Sequence, residues 1–94
     1  MLAAGTDTAL LRFTLGSAHI RHKQFAQAVA HFARAVELDP EYSAAWKLYA
    51  RSLMESGAME MAGRVLEQGL AVARRRGDMQ AVREMLAWQR KLKQ

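Results

Sequence analysis

The stretch Phe25–Trp46, FAQAVAHFARAVELDPEYSAAW, decides the fold. Ala28, Phe32 and Ala35 recur at spacings of four and three, which is one stripe of a helix, and Leu38 extends the stripe. Asp39-Pro40 ends that helix, because the residue before a proline is pushed out of the helical region. A proline fits the first turn of a following helix, where its missing N–H costs nothing. Trp46 falls about two turns into that next helix. The stretch therefore predicts a helical hairpin closing at Leu38 and a sharp join to a further helix.

Working outward, the spacing predicts five helices. The first runs from about Asp7 to His22, with Thr6 and Asp7 after Gly5 as N-cap candidates. Leu10, Leu11, Thr14, Leu15, Ala18 and His22 form its periodic set. The second runs from about Gln24 to Leu38, with Phe25, Ala28, Val29, Phe32, Ala35 and Val36 inward. The third runs from about Pro40 to Glu55, with Ala45, Trp46, Tyr49, Ala50, Leu53 and Met54 as its apolar set. Ser56-Gly57 stops it, glycine being suited to the left-handed turn past a helix end. The fourth runs from about Met59 to Arg75, with Met59, Ala62, Val65, Leu66, Gly69, Leu70 and Ala73 inward. Gly69, on that inner stripe, suits a close helix approach. Gly77-Asp78 separates it from a fifth helix, about Asp78 to Lys93, whose inner residues are Met79, Val82, Met85, Leu86 and Leu92. Every joint is short, so neighbouring helices run antiparallel.

The 94 residues bound the chain to one domain. A 51% apolar share supplies a core, and a single proline with six glycines favours helix over disorder. No run of about 18 apolar residues is present, which excludes a membrane-spanning helix. The start, MLAAGTDTALLRF, does not read as a secretory leader. There is no cysteine, which excludes disulfides, thiol catalysis and cysteine-ligated metal and is compatible with a cytoplasmic location. Six cations and six acids balance over residues 1–63, so the net charge of +5 lies wholly in residues 64–94. A basic end steers acidic partners, nucleic acid or an anionic surface toward it.

The first helical pair repeats in the second at an offset of 34 residues. Gly16 falls on Ala50, His19 on Leu53, Ala28 on Ala62, Phe32 on Leu66 and Ala35 on Gly69. Small residues match small ones and large apolar residues match large ones. In this spacing the chain resembles the tetratricopeptide repeat family. Leu15-Gly16, Ala28, Phe32, Ala35 and Pro40 fit the family signature in the first unit. Trp46, Tyr49-Ala50, Leu53, Ala62 and Leu66 fit it in the second. The departures are Arg12 for the expected aromatic, His19 for tyrosine, Gly69 for the later alanine and Arg74 for proline. The resemblance implies an all-α, right-handed α–α superhelix of antiparallel hairpins. It divides the chain into repeat 1 (7–38), repeat 2 (40–75) and a capping helix (78–93). Independently of the name, each unit leaves one face uncovered, so stacking is needed.

The same resemblance implies a non-catalytic protein–protein interaction module, such as a scaffold or adaptor. It would hold a peptide or protein segment in a concave groove lined by the first helix of each unit. Carried over, the groove residues are Phe13, Thr14, Ser17, Ile20 and Arg21 of the first helix and Lys47, Leu48, Arg51 and Met54 of the third. Val82, Met85 and Gln89 of the fifth join them. Lys47 and Arg51 are four apart on one helix face, and with Arg21 they make a cationic floor for an acidic segment. The absence of asparagine removes the full lysine–asparagine–arginine clamp of some family members.

Other chemistry is sparse. His19 and His22 share a helix face, but two ligands do not make a metal site, and His19 reads as a core residue in place of the tyrosine. Glu37, Asp39 and Glu41 cluster at a helix junction, where capping accounts for acids. No nucleophile–histidine–acid set, phosphate loop or carboxylate pair is present, so no enzyme and no cofactor is expected. Arg74-Arg75-Arg76 fits a helix C-terminus, where the dipole stabilises cations. Its alternative use is phosphate contact, making an electrostatic nucleic-acid binder of the basic last third, although no aromatic stacking platform accompanies it. Trp88 is the natural anchor for a homo-oligomer through the C-terminal helix.

Overall fold

The computed structural model describes residues 6–94. Five helices follow one another: α1 (Ala9–Arg21), α2 (Phe25–Leu38), α3 (Ser43–Glu55), α4 (Met59–Arg76) and α5 (Met79–Leu92). Among the described residues there is no strand. Helices α1 and α2 form one hairpin and α3 and α4 a second, α2 packs on α3, and α5 closes against α4 and α3. The stack is 43 Å long and 19 Å across its thinnest direction.

The helix ends differ from the sequence expectation in instructive ways. The cap of α1 is Thr8, whose hydroxyl accepts from the Leu11 N–H at 3.1 Å, rather than Thr6 or Asp7. Asp7 is instead committed to Arg12 and Arg34. The expected Gly5 lies outside the described residues. Pro40 does not open α3. It sits in a turn in which Asp39 Oδ1 accepts from the Glu41 N–H at 3.1 Å, and α3 starts at Ser43. Trp46 is thus one turn into α3, not two, and its indole N–H donates to the Pro40 carbonyl at 2.8 Å. The proline fixes the corner, and Trp46 clasps it. Helix α4 runs on to Arg76 and is closed by Gly77 in the left-handed region, φ 71°. Asp78 caps α5 through the Ala81 N–H.

The core joins all four later helices through Ala28, Phe32, Ala35, Ala45, Trp46, Tyr49, Ala50, Leu53, Ala62, Leu66, Leu70, Ala73, Val82 and Met85. Helix α1 enters it differently from expectation. Leu10 is 66% exposed, and Thr14 and His22 are exposed as well. The buried residue of α1 is Gly16, flanked by half-buried Phe13 and Ile20. The reason is a close approach: a Cβ on Gly16 would lie 2.7 Å from the Phe32 ring. A leucine there would have to displace a fully buried aromatic, so the bulky residues of α1 turn aside. Met79 of α5, expected inward, is 52% exposed, and Leu38 lies at the surface.

Gly69 sits where α3, α4 and α5 converge, with Met85 Sδ 2.9 Å and Trp46 Cβ 3.1 Å from a Cβ at that position. The close approach expected of it is present. Gly63, also inside α4, has nothing within 4 Å of that point. Gly63→Ala is therefore expected to raise stability by about 0.8–1 kcal/mol through helix propensity alone. Urea unfolding followed by circular dichroism measures it; a destabilised variant would show that the site is not open.

Candidate functional site

The first helices of the hairpins, α1 and α3, lie beside each other, and α5 lies beside α3. Polar pairs fix the register of α5 on α3. Ser43 Oγ donates to Asp78 Oδ2 at 2.7 Å, and Lys47 Nζ donates to Glu84 Oε2 at 2.9 Å. Met54 and Lys91, again 37 apart, line one cavity of about 460 Å³ with Glu55, Met59, Leu92 and Gln94. Arg51 stands one turn from both Lys47 and Met54, and Trp88 one turn from both Glu84 and Lys91, so the register sets Arg51 level with Trp88.

The expected groove residues divide into two sets. Phe13 is occupied in packing: its ring stacks on Tyr42 at 4.9 Å and meets Phe32 edge-on at 5.8 Å. Leu48 and Ile20 pack against the core. Val82 and Met85, offered as groove residues, are buried in it, because that stripe of α5 seats the helix on α3 and α4. Lys47 is neutralised by Glu84, its side chain 22% exposed. By contrast, Thr14, Arg21 and Arg51 are exposed, and Ser17, Met54 and Gln89 are half-buried. Arg21 and Arg51 have no ion-pair partner among the described residues. Sequence reasoning missed Glu84 and Lys91 on this face. The signal was present in their 37-residue offsets from Lys47 and Met54, but only the seating of α5 on α3 gives that offset meaning.

A second cluster ties α1 to α2. Arg12, standing where an aromatic was expected, donates from Nε to Asp7 at 2.8 Å, and Arg34 donates to the same carboxylate at 3.2 Å. The Arg12 hydrogen bond, supported by Arg34, holds the Asp7 carboxyl below the usual range. Arg12 Nη1 lies 3.3 Å from His31 Nδ1. A guanidinium only donates, so Nδ1 accepts and the His31 proton sits on Nε2. His19 stacks on His31 with centroids 5.2 Å apart and donates from Nδ1 to Gln24 Oε1 at 2.8 Å. His19 is thus a half-buried stacking partner, not a core residue. Among the described residues no group of three or more metal-ligating side chains forms.

Burial first, then the charges of Arg12 and His19, push the His31 pKa below its ordinary 6.5. The unfolded chain therefore binds more protons than the native state as pH falls below 6.5, and stability declines there. The depressed carboxyls of Asp7, Glu41 and Asp78 add a further decline in the acid range, below their own ordinary values near 4. Urea midpoints for His31→Gln are expected to be flatter than wild type between pH 7 and 5, with the acid limb retained. Equal slopes would remove His31 from this role.

The arginine run is also divided. Arg75 donates to both oxygens of Glu41, at 3.2 and 2.5 Å, bracing the end of α4 against the Pro40 corner. Arg74 and Arg76 are exposed. The acids at the α2–α3 junction are used locally: Glu37 accepts from Arg34, and Asp39 closes its turn.

Antiparallel hairpins stacked through small-into-large contacts define a helical-repeat protein with an open face along its first helices. The chain belongs to the tetratricopeptide repeat family, whose model matches residues 19–86. It is 46% identical over 92 residues to a TPR repeat-containing protein of Pseudomonas aeruginosa, covering 98% of this chain and 88% of that one. A solution structure of a Bordetella parapertussis protein matches with TM-score 0.81 and 40% identity, over 98% of this chain and 89% of that one. The crystal structure of a tetratricopeptide repeat domain protein from Salinibacter ruber matches with TM-score 0.82 and 25% identity, over 90% and 96%. Proteins of this family generally mediate protein–protein interaction and are not enzymes as a class. No helix among the described residues is long and apolar enough to cross a membrane.

Proposed function

We propose that the chain is a non-catalytic interaction module, a small scaffold or assembly adaptor in the cytoplasm, that binds a protein segment along the face of α1, α3 and α5. In this reading residues 7–38 and 40–75 are the two repeats and 78–93 caps them. One observation carries the reading: Arg21 and Arg51 are exposed and free of ion pairs on that face, while Lys47 is already neutralised. Family membership supports the class of function. The cationic floor is thus Arg21 and Arg51, with Thr14, Ser17 and Met54 beside them, and it favours an acidic segment, since arginine pairs with carboxylates in a fixed fork.

Peptides selected against the immobilised protein from a random display library provide the test. Selected peptides are expected to be acid-rich and to lose about tenfold or more in affinity against Arg21→Glu/Arg51→Glu. Retained affinity in that variant would sink the reading. The alternative, an electrostatic nucleic-acid binder, draws on Arg74, Arg76, Arg83, Arg90, Lys91 and Lys93. It stands second because Arg75, the middle of the arginine run, is committed to Glu41.

A further inference from the structure

We propose that the uncovered side of α5 is a seat for one acidic amphipathic helix of a partner protein, separate from the face of α1, α3 and α5. The burial pattern of α5 repeats that of α3 at an offset of 36 residues. Ala81, Val82 and Met85 are buried where Ala45, Trp46 and Tyr49 are. Helix α5 is therefore seated as the first helix of a further hairpin. In the two complete hairpins the second helix covers one side of the first: Gly16 lies under the Phe32 ring, and Ala50 is fully buried. The equivalent residue in α5 is Leu86, and no helix among the described residues covers it.

The uncovered stripe is Met79, Arg83, Leu86, Arg90 and Lys93, at spacings of four and three, which is one side of a helix. It sets two apolar side chains, Met79 and Leu86, among three cations over about 21 Å. Met79 is 52% exposed and Leu86 half-buried. Arg83, Arg90 and Lys93 are exposed, with no ion-pair partner among the described residues. Beside the stripe, a cavity of about 290 Å³ runs between α5 and α4, lined by Gly63, Glu67, Gln89, Leu92 and Lys93 among others. The partner is a helix because the stripe has helix-packing spacing and stands where a hairpin's second helix would lie. Acids along its flanks meet Arg83, Arg90 and Lys93. It presents a small residue opposite Leu86, reversing the small-under-large order of Gly16 and Phe32. A second copy of this chain matches poorly, since it would bring the same cations to the same cations.

The test titrates the full ¹⁵N-labelled chain with a side-chain-stapled helical peptide of about 20 residues. The peptide carries an alanine–leucine stripe flanked by glutamates; its counterpart carries lysines instead. The acidic peptide is expected to shift the amides of Met79, Arg83, Leu86 and Arg90. It should bind about tenfold more weakly to Arg83→Glu/Arg90→Glu, whose circular dichroism should match wild type. Arg21→Glu/Arg51→Glu should leave it unaffected, which separates this seat from the face proposed above. Equal binding of the lysine peptide, or no shift at about 1 mM, overturns the proposal. So do shifts confined to Ser17, Arg51 and Met54, and those would leave the other reading standing. A dimer in sedimentation that Arg83→Glu/Arg90→Glu dissolves, or a duplex oligonucleotide that outcompetes the peptide on these residues, also overturns it.

Discussion

Phe32→Ala is expected to cost about 3–5 kcal/mol of folding free energy, the range for removing a fully buried aromatic ring. The ring is 0% exposed, covers Gly16 of α1 and takes the edge of Phe13, which in turn stacks on Tyr42 just before α3. One side chain thus joins α1, α2 and the entry to α3. A domain of this size holds only about 5–15 kcal/mol in total. The variant should lose a large share of it and melt roughly 12 °C or more below wild type, at about 4–8 °C per kcal/mol. Thermal and urea unfolding followed by circular dichroism read this directly. A loss under about 1 kcal/mol would mean that α1 collapses onto the vacated space, and that the hairpin is not built around this ring.

Helix α2 was legible because its residues divide cleanly: Ala28, Phe32 and Ala35 are buried, while Gln27, Ala30 and Arg34 are not. Helix α1 was misread because its leucines are spread around the helix, so periodicity gave no single answer. The deciding residue was a glycine, which carries no hydrophobic signal. The stop at Asp39-Pro40 was legible from backbone sterics. The next start was not, since it depends on a turn held by Asp39 and on Trp46 reaching back to the Pro40 carbonyl. The candidate face was half legible. Repeat register pointed to Arg21 and Arg51, but it could not show that Glu84 neutralises Lys47 or that Phe13 is held between two rings. Those outcomes depend on tertiary partners, and no local pattern encodes them.

The offset of 34 residues makes a further expected result quantitative. Gly16→Ala should destabilise by about 1–3 kcal/mol, although alanine is the better helix former by about 1 kcal/mol. The added Cβ would stand 2.7–2.9 Å from three atoms of a fully buried ring. A ring, unlike the end of a methionine, cannot bend away, so strain outweighs propensity. The second hairpin holds a different solution at the same two positions: Ala50 for Gly16 and Leu66 for Phe32, both fully buried. The first helix has gained a methyl where the second has exchanged a benzyl group for the smaller isobutyl. Gly16→Ala combined with Phe32→Leu copies that pair. The double variant should therefore be more stable than the sum of the single losses predicts, with a coupling of about 0.5–3 kcal/mol in its favour. Phe32→Leu alone should cost about 1 kcal/mol and shows no clash for alanine to relieve. Strict additivity in urea unfolding would mean that the hairpin yields by shifting α1 bodily, and that the two repeats do not share one volume rule. A positive coupling would locate the closeness of each hairpin in the summed size of two residues 16 positions apart. The same rule would then account for a glycine against an aromatic ring in the first hairpin where the second holds Ala50 and Leu66.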